Sequence, residues 1–330
     1  MSGPEAMPNG PVMLDLSDAS VESLAPEDRA RLMHPLVGGV IHFARHYKSP
    51  GQIRALNAEI HALREPSLLI AVDHEGGRVQ RFRDGFTAIP PMRTLGELWD
   101  DDPDAACAEA RRYGRIMADE LTGHGVDFSF APVLDLDHGG STVIGDRAFH
   151  RDPDATSRLA TALIDGMRDG GMASVGKHFP GHGFVAADSH HEMPVDSRSF
   201  EEIERDDLVP FDALIRAGLD AVMPAHVVYP AVDAKPAGYS HKWLQDILRA
   251  RIGFDGLIVS DDLGMAGAVG EGDIVARANA AVAAGCDIVL TCNEPAAADE
   301  LLARWKLAPS ANLARRAAKM VGRKPGRCPQ

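Results

Sequence analysis

Residues 173–191, ASVGKHFPGHGFVAADSHH, run an apolar segment straight into Lys177, His178, His182, Asp188, His190 and His191, punctuated by glycine and proline. Groups that titrate or donate hydrogen bonds near neutrality do little for the stability of a solvated loop, so this concentration reads as an active-site loop rather than a His-rich surface. Two constellations carry reaction chemistry: the Asp261 and Asp262 pair, and the triplet Asp188-Ser189-His190. A carboxylate fixed at a strand end can attack an anomeric carbon. A histidine oriented by a nearby carboxylate can protonate a leaving oxygen and then deprotonate water. Asp188 would favour the imidazolium, so that His190 starts as the acid. Adjacent strand residues point to opposite faces, both buried here, so spacing leaves open whether Asp261 or Asp262 is the nucleophile.

These groups are remote in sequence and need a frame that gathers them. Eight short apolar runs fall at 12–16, 38–43, 67–73, 127–136, 173–179, 221–227, 256–262 and 287–292. Helical patterns are expected between them at 22–34, 50–63, 103–122, 153–169, 200–217, 241–252, 272–284 and 295–306. In the clearest, Ala106, Ala110, Tyr113, Met117 and Leu121 share one face, with Pro103 near the start. Gly218, Gly253 and Gly285 read as helix stops. Strands apolar on both faces and alternating with helices predict an α/β fold, a single-domain (β/α)8 TIM-type barrel, over an open doubly wound sheet. The barrel is expected over residues 11–322, with 1–10 and 323–330 frayed.

The C-terminal ends of barrel strands build the active site. The expected ends read Asp73-His74-Glu75-Gly76-Gly77-Arg78, Gly145-Asp146-Arg147, Lys177-His178, His226 and Ser260-Asp261-Asp262. Five such endings converging on one rim are hard to explain structurally.

Composition narrows the partners. With 330 residues and 45% hydrophobic content the chain can bury a large core, and a net charge of −14 speaks against nucleic acid or an anionic membrane. A small or neutral substrate fits better. Cys107, Cys286, Cys292 and Cys328 are widely spaced and read as free thiols of a reducing compartment. No signal-peptide pattern or membrane-length apolar run is present, so a cytoplasmic monomer is expected, with no metal or organic cofactor demanded.

KHFPGHG (177–183) with Asp188-Ser189-His190, DHEGGRVQRF (73–82), IGDRAF (144–149), MPAHV (223–227) and GFDGLIVSDDLGM (253–265) together closely resemble the bacterial β-N-acetylglucosaminidases of glycoside hydrolase family 3, over about residues 12–295. The resemblance implies a retaining exo-glycosidase with Asp261 as nucleophile and His190 as general acid/base assisted by Asp188. Asp73, Arg81, Arg147, Lys177 and His178 would bind the terminal N-acetylglucosamine through its hydroxyls. The implied substrate is N-acetylglucosamine linked β-1,4 to 1,6-anhydro-N-acetylmuramic acid, a muropeptide of cell-wall recycling. Larger relatives add a second domain that often brings a carboxylate acid. The sequence leaves no room for one after residue 295, which favours the loop histidine and a loop that closes over substrate.

Blander roles stand beside these. Lys177 could pair with a buried aspartate, or form a Schiff base. His182 could shape the loop, and His226 belongs either to core hydrogen bonding or to the pocket wall. Asp262 reads as a group that orients neighbours. Glu75 is either an acid or nucleophile, or the anchor of the Gly76-Gly77 turn, while Asp135 and Asp137 match no motif. Three rival functions are weighed. Phosphorolysis on the same site is open, since a neutral histidine would not repel a phosphate dianion. A metal-dependent amidohydrolase barrel wants an early His-x-His pair, where strand one offers only Asp15. A non-catalytic sugar-binding barrel leaves Asp188 and His190 without purpose.

Overall fold

All eight apolar runs become strands of one parallel sheet: β1 Val12–Leu14, β2 Val37–His42, β3 Leu69–Val72, β4 Phe128–Ser129, β5 Val175–Phe179, β6 Ala221–Pro224, β7 Leu257–Asp262 and β8 Ile288–Thr291. The structure is a computed structural model that describes residues 5–6, 9–186, 193–265, 272–307 and 310–322. Every residue of β2 and β3 is buried, as required when one face looks into a barrel and the other onto helices. The strands lie in the order β4-β3-β2-β1-β8-β7-β6-β5. Parallel bridges Phe128–Ala173 and Val133–Lys177 join the two ends, so the sheet closes into a (β/α)8 barrel.

β4 is shorter than its apolar run, because Pro132 has no N–H to give to a ladder. Beyond Ser129 the chain still follows β5: the Val175 amide donates to Ala131 O (2.8 Å) and the Leu134 amide to Lys177 O (2.6 Å). The closing seam therefore runs past the residue that carries the active-site lysine.

Outside the sheet lie α1 Pro26–Leu32, α2 Pro50–His61, α3 Pro103–Gly123, α4 Pro153–Asp169, α5 Leu208–Arg216, α6 Lys242–Arg251, α7 Ile274–Ala284 and α8 Pro295–Arg304. In α3 the Asp102 carboxylate accepts from the Asp104 and Ala105 amides, and Ala106, Ala110, Met117 and Leu121 are buried, the face the spacing predicts. α6 has π-helical i→i+5 bonding. Gly218, Gly253 and Gly285 follow their helices with φ of 91°, 86° and 125°. The helix expected over 200–217 is broken into Phe200–Arg205 and α5, because Asp207 turns inward to pair with Arg198. Helices also form at Arg93–Asp101 and Ala311–Ala317, outside the eight expected spans. In the N-terminal segment expected to fray, Glu5–Ala6 pairs in parallel with Arg64–Glu65. Cys107, Cys286 and Cys292 are free thiols, and Cys328 lies outside the described residues. No helix among the described residues is long and apolar enough to cross a membrane.

Three histidines are sealed into the core beside β2 and β3. His42 reaches Asn57 Oδ1 (2.7 Å), His46 reaches Leu16 O (2.8 Å), and His74 packs against Phe82 and Phe86. Burial pushes their pKa values down to about 3, 4 and 3 respectively, so all three are neutral in the folded protein near pH 7. The unfolded chain, with histidines near pKa 6.5, binds more protons below that pH. Their contribution is intact above pH 6.5 and is lost as pH falls towards 4. Urea unfolding across pH 7 to 5 should show stability declining by up to about 1.4 kcal/mol per pH unit for each histidine; a flat profile would contradict neutral burial.

Candidate active site

A cavity of about 350 Å³ opens at the C-terminal mouth of the barrel. Asp73, Glu75, Arg81, Arg147, Lys177, His178 and Asp261 line it, and Ile41, Phe43, Met223, Met265 and Leu290 supply apolar surface. The structure thus brings together every described residue that the sequence assigns to the site. Asp188 and His190 lie outside the described residues.

The charged residues form a chain of ion pairs. Lys177 Nζ donates to Asp73 Oδ1 (2.8 Å) and to Glu75 Oε1 (2.6 Å). Arg147 grips Glu75 with two parallel bonds, Nε to Oε2 and Nη2 to Oε1, both 2.8 Å. Arg81 stands 3.5 Å from Asp73 Oδ2. Burial alone would neutralise Lys177 and Glu75. Asp73 and Glu75 reverse this for the lysine, raising its pKa, while Arg147 and Lys177 hold Glu75 well below the usual carboxylate range. Lys177 is therefore an ammonium paired with carboxylates, as a hydroxyl-binding or structural lysine would be.

His178 is held by Asp135, which was not assigned to the site from sequence. Asp135 is fully buried and accepts from His178 Nδ1 (2.7 Å), the His178 amide (3.1 Å) and the His182 amide (2.7 Å). Burial works against its charge, but His178, His182 and these donors bring its pKa below the usual value. An ionised carboxylate can only accept, so the His178 proton sits on Nδ1 and Nε2 is the ring atom left for other contacts. His182, left out of the site on sequence grounds, lines the cavity.

The turn carrying His182 is built on close approach. A Cβ at Gly183 would sit 1.8 Å from Leu136 O, and Gly181 at φ 141° lies against Asp207, with its carbonyl accepting from Tyr229 Oη (2.7 Å). On the far side of residues 187–192, Val195 pairs with Val228, and Arg198 binds Asp196 and Asp207 (2.6 Å each). Both stems of the segment bearing Asp188 and His190 are thus tied to the barrel.

At the end of β7 the environments of the two aspartates diverge. Burial raises the Asp261 pKa, but His226, His178, the Asp262 amide (2.8 Å) and Lys177 outweigh it, leaving the carboxyl below its ordinary value. Asp262 Oδ1 accepts from the Gly264 amide (2.9 Å) and the Cys292 amide (3.1 Å). Burial nevertheless pushes Asp262 up to about 7, with Asp261 and Asp15 adding to the rise. Asp261 is the ionised nucleophile candidate, and Asp262 ties β7 to β8. His226 donates from Nε2 to Asp262 O (3.1 Å) and stacks on Tyr239, so it supports the strand end from the core side.

Fold and site together define a (β/α)8 barrel enzyme whose cavity presents charged and apolar groups to a small molecule. Residues 13–320 match the model of the glycosyl hydrolase family 3 N-terminal domain, and the chain belongs to that family. It is 60% identical over 317 residues to a β-hexosaminidase of Chromobacterium violaceum, covering 96% of this chain and 88% of that one. Native NagZ from Neisseria gonorrhoeae superposes with a TM-score of 0.92 at 52% identity, covering 96% of this chain and 91% of the other. The same protein in complex with N-trifluoroacetyl-D-glucosamine gives 0.91 at 51% identity, with the same coverage.

The contrast between the aspartates is open to test. Asp262→Asn keeps the oxygen that accepts two amides and mimics the neutral carboxyl, so urea unfolding at pH 7 should register less than about 1 kcal/mol of change. Asp262→Ala orphans both amides and should cost roughly 1–3 kcal/mol. Equal losses would mean that the charge of Asp262, not its acceptor oxygen, holds the turn.

Proposed function

We propose that this protein is a retaining exo-β-N-acetylglucosaminidase that removes terminal β-1,4-linked N-acetylglucosamine from 1,6-anhydro-N-acetylmuramic acid muropeptides in the cytoplasm, during peptidoglycan recycling. The observation that carries this reading is Asp261: a carboxyl kept ionised inside a cavity whose other polar groups can grip hydroxyls and whose remaining surface is apolar. Membership of glycosyl hydrolase family 3 supports a glycosidase, and the names of its relatives support N-acetylhexosaminide as the substrate class. The glucosamine derivative bound by the gonococcal relative points the same way.

In this mechanism Asp73, Arg81, Arg147, Lys177 and His178 hold the hydroxyls of the terminal sugar, with Arg147 and Lys177 donating and Asp73 accepting. Ile41, Phe43, Met265 and Leu290 offer apolar contact to the acetamido methyl or a ring face. Asp261 attacks the anomeric carbon as His190, paired with Asp188, protonates the departing oxygen. A glycosyl-aspartate forms. His190, now neutral, takes a proton from water, which attacks the same carbon and releases the sugar with its configuration retained.

Release of p-nitrophenol from the β-N-acetylglucosaminide and the β-glucoside, with EDTA and without phosphate, tests the reading. Strong preference for the N-acetyl sugar is expected. A turnover that depends on added phosphate and yields N-acetylglucosamine 1-phosphate would assign phosphorolysis instead. Asp261→Ala should abolish turnover. His190→Ala should slow substrates with poor leaving groups far more than aryl glycosides, which need little protonation; equal losses on both would remove His190 as the acid.

A further inference from the structure

We propose that Glu75 is a positioning residue of the sugar site, a buried counter-ion that sets the spacing of Lys177 and Arg147 and keeps Lys177 protonated. The assignment rests on the reading that those two cations bind sugar hydroxyls. Glu75 is 4% exposed. It belongs to a strand, His74–Gly76, that pairs antiparallel with Val79–Gln80 just after β3, and the Gly77 amide fixes this hairpin by donating to Ile89 O (2.8 Å). A short, well-tied hairpin of this kind gives its side chain little freedom to swing.

The contacts of the carboxylate decide between the roles open to it. Oε1 receives Arg147 Nη2 and Lys177 Nζ, and Oε2 receives Arg147 Nε. A proton donor would have to hold a proton, but two cations at hydrogen-bond distance keep this group ionised. A nucleophile needs a lone pair aimed at the substrate, whereas both oxygens here are engaged by side chains that themselves line the cavity. Glu75 thus acts through Lys177 and Arg147.

Its removal has a consequence specific to charge. Lys177 faces Asp73 and Glu75 in contact, with Arg147 beyond Glu75, Arg81 beyond Asp73, and the Phe130 ring at 6.0 Å. His178 is its chain neighbour, and Asp261 on β7 feels its charge. Glu75→Gln leaves Lys177 with Asp73, shared with Arg81, as its contacting anion among the described groups, and takes from Arg147 the carboxylate that it grips. Arg147 cannot give up its proton, so the adjustment falls on Lys177. Its proton becomes easier to lose, and the ordered donor pair splays.

Kinetics on p-nitrophenyl N-acetyl-β-glucosaminide between pH 5 and 10 test this. For Glu75→Gln, KM should rise about tenfold or more with a smaller fall in kcat, and kcat/KM should fall towards pH 10, where the wild type keeps Lys177 protonated because its carboxylate partners raise the ammonium above its ordinary range. Glu75→Asp keeps the charge on a shorter arm, so its alkaline limb should stay near that of the wild type while KM rises. The double variant Arg147→Met/Glu75→Gln, which removes a cation with its anion, should lose less than the sum of the single losses. That cycle also serves if Glu75→Gln alone folds poorly. With an active wild type, any of three results overturns the assignment: a kcat loss of about a thousandfold with KM and the alkaline limb unmoved, KM within about twofold of wild type, or an additive cycle. A wild type that turns over no N-acetylglucosaminide overturns the functional reading and this assignment with it.

Discussion

Charge neutrality under burial is the constraint on which this site depends. Two cations and two carboxylates, Lys177, Arg147, Asp73 and Glu75, are packed into the mouth of a barrel where an isolated charge would cost several kcal/mol to desolvate. Each is tolerable because its partner is within 2.6–2.8 Å. The partners come from β5, from the loop after β4, from the end of β3 and from the hairpin that follows it, so the pairs form when β4 and β5 meet. The bridges Phe128–Ala173 and Val133–Lys177 are therefore as much a condition of the site as of the fold. Arg78 adds a clamp by donating to Thr142 O (3.1 Å) and Ile144 O (3.2 Å) on the loop that delivers Arg147.

The same economy separates two adjacent carboxyls of identical chemistry. Asp261 faces His178, His226 and the Lys177 ammonium, which together with the Asp262 amide outweigh the effect of burial and hold its carboxyl below the ordinary value. Asp262 turns to the Gly264 and Cys292 amides, whose dipoles are weaker than a full charge, so burial keeps its pKa high. One strand end thus holds an ionised carboxyl that lines the cavity and a second carboxyl, its pKa raised to about 7, that secures the strand. Were both fully charged, their mutual repulsion would weaken the structure and raise the pKa of Asp261, the proposed nucleophile.

Much of this was legible in sequence because strand identity and strand-end chemistry are local. Runs such as 67–73 and 256–262 are apolar on both faces, and the polar residues that follow them must lie at one rim once the strands are parallel. Pairing within the rim was not legible. Nothing local says that Glu75 and Arg147, 72 positions apart, share two hydrogen bonds, or that Asp135 holds His178. Asp135 did carry a signal, a carboxylate in an apolar run beside the closing seam. The Arg93–Asp101 helix was also visible in principle, since Leu95, Leu98 and Trp99 repeat at helical spacing. The break at Asp206-Asp207 was not, because it is set by a tertiary ion pair with Arg198 that outweighs the helical propensity of 200–217.

The proposed catalytic pair have different tasks, and the sequence puts one at a strand end and the other in the connection that follows β5. A nucleophile must be held at a fixed distance from one carbon and kept charged, which β7 does with backbone rigidity and surrounding bases. A proton carrier must serve the leaving oxygen first and an incoming water afterwards, so it has to border the open side of the cavity. That side is reached from a long connection, and β5 is followed by one whose stems are secured by Gly181 and Gly183 against Asp207 and Leu136, and by Arg198 against Asp196 and Asp207. With the ends so fixed, the barrel sets where the chain that carries the proposed acid leaves the site and where it returns.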